Sequence, residues 1–217
     1  VGSFAGGALP PDDVVVSALR AGDEAMFAAL LDTWSRGMLR VARSYVSTDH
    51  SAEEVVQDTW LAVIDGIDAF EQRSSVKTWV FRILVNTAKK RGVRESRTLP
   101  WSTFEQDGEP GQGSFRGRGR GPGQGPGGPA DPVAAWPTPE GEALAGEVRA
   151  LIAEALARLP PRQRVVISLR DVEGCTSDEV CEILEISPAN QRVLLHRART
   201  AVRGLLASYY ESVTQPE

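Results

Sequence analysis

Cysteine is scarce: the 217 residues hold two, Cys175 and Cys181. Six positions apart in a stretch of helical character, they are poorly placed for a disulfide and too few for a zinc site. Both are expected to be small buried hydrophobes. Histidine is equally rare, and His196 has no partner ligands at metal spacing, so no metal is expected. No run of about 18 apolar residues occurs, so no membrane insertion is expected. The start, Val1 to Pro11, has no positive region ahead of an apolar run, which leaves no expected signal peptide and makes the cytoplasm the expected compartment. There is no internal repeat and no alternating pattern of the kind strands make. A nucleophile–base set and a strand–glycine loop–helix phosphate cradle are also missing, so neither an enzyme nor a cofactor is expected. An overall basic charge is missing too. The formal net charge of −5 argues against a general nucleic-acid binder but leaves room for a local basic face.

What is present is helical periodicity in two blocks. Phe27, Leu30, Leu31, Trp34, Met38, Val41, Ala42 and Tyr45 make one apolar stripe. Val55, Val56, Thr59, Trp60, Val63, Ile64 and Ile67 make a second, with Ser51 ahead of Glu53 and Glu54 as the expected helix start. Val76, Trp79, Val80, Ile83 and Leu84 make a third. From about Leu99 to Pro139 the pattern gives way to glycine and proline, with Arg116, Arg118 and Arg120 among them. That composition buries too little apolar surface to offset ordering, and predicts a flexible linker. Helical spacing returns with Leu144, Val148, Leu151, Ile152, Ala155, Leu156 and Leu159 and ends at Pro160-Pro161. Short helices are then expected around 163–172 and 177–185, and a last one over about 189–207. The expected fold is all-α: a tail over 1–22, a helical domain over 23–98, the linker over 99–139, a second helical domain over 140–212, and a tail over 213–217. Each domain has its own apolar stripes, so each is expected to fold by itself.

The most specific segment runs from Cys175 to Arg199. A helix begins at a Thr or Ser cap, buries Val180, Ile183 and Leu184, and breaks at Ile186-Ser187-Pro188. Ser187 can cap the next helix, and Pro188 suits its first turn. That next helix carries Arg192, His196, Arg197, Arg199 and Arg203 with no acid between them; Leu194 or Val193, Ala198, Ala201, Val202 and Leu205 are expected to face inward. Tight turn, missing acids and preceding short helix together describe a helix-turn-helix, whose second helix enters the major groove.

With those residues in view, Leu159-Pro-Pro-Arg-Gln-Arg-Val-Val-Ile-Ser-Leu-Arg-Asp-Val-Glu-Gly174 and the helix-turn-helix resemble region 4 of the extracytoplasmic-function (ECF) group of bacterial RNA polymerase sigma factors. Ala52-Glu-Glu-Val-Val-Gln-Asp-Thr-Trp-Leu61 and Val76-Lys-Thr-Trp-Val-Phe-Arg-Ile-Leu-Val-Asn-Thr-Ala-Lys-Lys90 resemble region 2 of the same group. The resemblance implies a promoter-recognition factor. Region 2 would bind the β′ clamp of core polymerase and open and read the −10 element; region 4 would bind the β flap and read the −35 element. It places the clamp contact on Glu53, Glu54, Gln57 and Asp58. It also places the −10 contact on Asn86, whose amide can hold a flipped base, with Lys89, Lys90, Arg91 and Arg94 following the backbone. The −35 contact falls on Ser187, Asn190, Gln191, Arg192, Val193, His196, Arg197 and Arg199. An anti-sigma factor is the further partner the group implies. A stand-alone helix-turn-helix regulator is the alternative; it accounts for the second domain and leaves the Gln57-Asp58 helix and the Asn86 segment without a task.

Overall fold

The computed structural model describes residues 9–98 and 150–214, and the linker arginines lie outside them. Part of the expected tail is a helix: α1 spans Asp12–Arg20 and buries Val15 and Val16. Two of its side chains hold it in place. The Asp12 carboxylate accepts from the backbone N–H of Val76 at 2.8 Å, and the Arg20 guanidinium donates to the carbonyls of Ile67 (3.2 Å) and Phe70 (2.8 Å). A nine-residue helix is marginal alone and is stabilised by such docking, so no long periodic stripe announces it.

Helix α2, Glu24–Ala42, starts where the Asp23 carboxylate accepts from Ala25 and Met26 N–H. Met26, Leu30, Trp34, Met38 and Val41 then bury one face at helical spacing. Helix α3, Asp49–Gly66, starts a few residues earlier than Ser51. Thr48 has the extended backbone of a cap and accepts from Ser51 N–H at 3.1 Å, which puts Ser51 inside the first turn. Trp60 of α3 meets Phe27 edge-on at 5.4 Å and stacks near Trp34 at 6.4 Å, joining α3 to α2. A short 3₁₀ turn, Ile67–Ala69, leads toward α4, Val76–Thr98. Helix α4 buries Val76, Val80, Phe81, Leu84, Val85 and Ala88.

In the second block, α5 is described over 150–157. Pro160 and Pro161 stop it and open α6, Pro161–Ile167, which continues as a π turn over Ser168–Val172. Helix α7, Ser177–Leu184, has a reciprocal capping box between Thr176 and Glu179. Glu185 takes the left-handed conformation that ends α7, and α8, Pro188–Thr214, follows. Among the described residues no strand occurs. The two blocks touch: α7 packs along α4, the π turn packs on α2, and the buried apolar side chains of both blocks form one continuous cluster. Cys175 lies in that cluster, and burial pushes its thiol up to about 11; Cys181 is half-buried rather than buried.

Candidate functional site

Three surfaces collect the residues singled out by sequence. The first is the outer face of α8. Ser187 accepts from the Asn190 N–H at 3.2 Å, so the helix start is locked by its own cap. Asn190, Arg192, Val193, His196 and Arg197 are exposed, and Val193 keeps 47% of its surface in solvent. Arginine is the only side chain of fixed charge on α8 before Glu211, which gives this face one sign.

Two members of the expected set do other work. Gln191 is 1% exposed and does not reach the surface. It sits at the head of the inward-facing stripe Gln191, Leu195, Ala198 and the half-buried Val202, at i, i+4, i+7 and i+11, where helical geometry turns it inward whatever its polarity. Leu195, which the sequence reading passed over, takes the core place, while Ala201 is exposed. Arg199 makes a paired contact with Asp171, Nε to Oδ2 at 2.8 Å and the terminal nitrogen to Oδ1 at 2.6 Å, which raises the guanidinium pKa further. That bond braces α8 against the π turn.

The second surface is the outer stripe of α4. Arg82, Asn86, Lys89 and Lys90 follow at i, i+4, i+7 and i+8 and share a face. Asn86 is partly exposed, and among the described residues its side-chain amide has no hydrogen-bond partner. It is neither a cap nor a core polar group here. Lys90 and Arg94 are exposed and Lys89 half-exposed. Arg91 is different: it pairs with Glu54, and its Nε lies 3.4 Å from Glu95. Glu95 also accepts from the Ser47 N–H and hydroxyl. Burial pushes its carboxyl up, but hydrogen bonds from Ser51, Ser47 and Arg91 outweigh that and hold it below its ordinary value. The charge of Arg91 is thus spent inside the block, tying α4 to α3. Arg82 was not singled out by sequence; its i, i+4 relation to Asn86 was the available signal.

The third surface is the outer face of α3. Glu53, Gln57 and Asp58 are exposed, while Glu54 is committed to Arg91. The next turn adds Leu61 and Ile64, 61% and 52% exposed. Ile64 was expected in the core; it lies instead at the rim of an apolar cavity of about 220 Å³ that Leu19, Phe27, Val63 and Ile67 also line. An acidic margin around exposed leucine and isoleucine has the composition of a protein-binding face. Among the described residues no cluster of His, Cys, Asp and Glu could hold a metal, and no helix is long and apolar enough to cross a membrane.

These surfaces fall within two family matches. Residues 30–98 match the model for sigma-70 region 2, and residues 149–202 match sigma-70 region 4. The chain is similar along most of its length to the ECF RNA polymerase sigma-E factor of Escherichia coli K12: 26% identical over 191 residues, 88% of this chain and 92% of that one. The sigma-E factor of Haemophilus influenzae is 25% identical over 192 residues, covering 88% of this chain and 93% of that one. Among solved structures, CnrH in complex with the cytosolic domain of CnrY matches with a TM-score of 0.55 at 20% identity, covering 91% of this chain and 97% of CnrH. The sigma factor RpoE of Bartonella quintana, in complex with the anti-sigma factor NepR, matches with a TM-score of 0.54 at 22% identity, covering 83% and 96%. At those identities the structural likeness speaks to the fold. Two region models in the expected order, on the blocks that carry the exposed stripes of α4 and α8, give the identity: the chain belongs to the sigma-70 family of RNA polymerase sigma factors, in its ECF group.

Proposed function

We propose that this protein directs core RNA polymerase to a set of promoters, with α8 reading the −35 element, the outer stripe of α4 reading and opening the −10 element, and α3 docking on the polymerase. The observation that carries the DNA-reading part is the face of α8, a capped recognition helix whose exposed side chains include Arg192, Val193, His196 and Arg197 with no acid among them. A regulator outside the polymerase uses such a helix as well, but has no use for the exposed acidic and apolar face of α3. RpoE of B. quintana was solved with an anti-sigma factor, and a partner of that kind is part of the same proposal, as is a cytoplasmic site of action. No reaction is catalysed by the factor itself.

The test is transcription from a promoter library by core polymerase plus this protein. Arg192 lies in the first turns of α8, where a helix-turn-helix reaches base edges. Arg197 follows five residues on, about 140° around the helix by its 3.6-residue period. Arg192→Ala is expected to relax preference at one or two −35 base pairs by about 1–3 kcal/mol. Arg197→Ala is expected to weaken binding to all promoters alike and to flatten the salt dependence, as loss of a phosphate contact does. If neither variant changes −35 preference or salt slope, α8 is not the reading head.

Asn86→Ala separates melting from docking. Its partly exposed amide has donor and acceptor to offer an unstacked base, so the variant should lose −10 discrimination by roughly 1–3 kcal/mol while keeping its affinity for core polymerase. Wild-type rates on matched and mutated −10 elements alike would remove Asn86 from base reading.

A further inference from the structure

On α8 the direction of each side chain follows from its place in the helix, at about 100° per residue. Gln191 and Leu195 are buried and mark the inward side. Val193 is two residues from each, about 200° around from both, and so points straight away from the core. It keeps 47% of its surface in solvent. On one side of it stand the exposed Arg192 and His196, about 100° and about 60° away. On the other stand the exposed Arg197 and Asn190, about 40° and about 60° away. Ala189, exposed one turn earlier on nearly the same line, is too short to stand in front of the valine.

An exposed valine is ordinary by itself; its place is what sets this one apart. It occupies the centre of the outward face, and the longer polar side chains are all at the flanks. Folding does not call for it there. It lies outside the core, and valine forms helix less well than alanine or arginine. Its branched side chain is stiff, so little freedom is lost when it meets a surface. The flanking cations, with no acid among them, suit a polyanionic surface. The centre of a helix face laid in the major groove meets the base edges, and the apolar group displayed there is the C5 methyl of thymine. Valine offers no hydrogen bond, so a pair presenting only donors and acceptors at that point would lose water without a partner in exchange.

We propose that Val193 is a specificity-determining residue of this factor, packing on the C5 methyl of one thymine in the −35 element. The proposal rests on the assignment of α8 to that element and adds one base identity to it: the pair beneath Val193 is T·A. The flanking side chains are long enough to reach past the valine to neighbouring base edges or out to phosphates, so they contribute affinity and register without competing for the same methyl group.

The test uses core polymerase with the full-length factor on a promoter taken from the library. Each thymine of the −35 element, on either strand, is replaced singly by deoxyuridine, which pairs as thymine does and lacks only the C5 methyl. At one position the wild-type holoenzyme is expected to bind on the order of threefold to fivefold more weakly, the worth of one buried methyl group. Val193→Ala should bind the thymine promoter more weakly than wild type and lose nothing further with deoxyuridine at that position, so the two changes are not additive. Helix content by circular dichroism and affinity for core polymerase are read in parallel. A wild-type factor that has a −35 preference yet tolerates deoxyuridine throughout the element overturns the methyl contact alone. One with no −35 preference overturns the assignment of α8 along with it. An equal deoxyuridine loss in wild type and Val193→Ala gives the methyl group to another side chain and overturns the proposal too. So does a Val193→Ala defect confined to core-polymerase affinity, which turns the valine toward a protein.

Discussion

Phe81→Ala should lower the stability of the N-terminal block by roughly 3–5 kcal/mol. Phe81 is completely buried and among the largest side chains in that state. It lies on α4, the helix that packs on α3 and also carries α7, so a cavity there loosens both sides of the helix at once. The Lys77 amine lies 5.8 Å from the ring centre, a further contact that goes with the ring. Native domains are stable by about 5–15 kcal/mol in all, so the loss is a large part of the whole. Urea unfolding followed by tryptophan fluorescence reads it directly, since Trp34, Trp60 and Trp79 all sit in this block. A change in midpoint worth less than about 1 kcal/mol would mean that Phe81 does not seat α4 in the core.

Phe81 also shows where periodicity stops being informative. Helices α2 and α3 bury one face, and their stripes read cleanly from a 3.6-residue spacing. Helix α4 is covered on two sides, by α3 and by α7. Its buried set of Val76, Val80, Phe81, Leu84 and Val85 runs around the helix, and the single stripe read from sequence left out Phe81 and Val85. Gln191 failed for the opposite reason. A glutamine on a DNA-reading helix looks like a reader, yet its position in the stripe decides its direction, and side-chain chemistry does not. The pair of Arg40 with Glu173, whose carboxylate lies on Gly37, was beyond any local pattern, because it joins residues 133 positions apart. By contrast the Thr176 capping box, the Ser187 cap and the proline pair ahead of α6 were all legible, since each is completed by residues close in sequence. The all-helical fold and the family follow from such local signals; the partition of arginines and acids between ligand and internal pair does not.

That partition sharpens what to expect of α3, the helix proposed to dock on the polymerase. Of the four residues assigned there, Glu54 is tied to Arg91, so its removal would disturb the packing of α3 on α4 and report on folding as much as on binding. Asp58 has no such tie among the described residues, is exposed, and lies one turn before Leu61. Asp58→Arg should leave helix content and thermal stability near wild type, because surface substitutions away from special features shift stability by only about 0.5 kcal/mol. Its effect on association with core polymerase should be far larger, several kcal/mol if a basic partner surface faces this helix, since the reversal turns attraction into repulsion. Leu61→Ala probes the same contact by another route. A leucine 61% exposed in the free protein contributes little to folding, whereas a side chain at the desolvated centre of an interface is worth about 1–2 kcal/mol or more. The two substitutions also differ in salt dependence. Raising ionic strength should narrow the gap between Asp58→Arg and wild type, because screening removes long-range attraction and repulsion alike. It should leave the Leu61→Ala deficit in place. Polymerase affinity measured for both variants at two salt concentrations makes the comparison. Folded variants that bind core polymerase as tightly as wild type would show that α3 does not face the polymerase. Loss of binding for Leu61→Ala alone would place the contact on the apolar turn of α3 around Leu61, with the acids of α3 outside it.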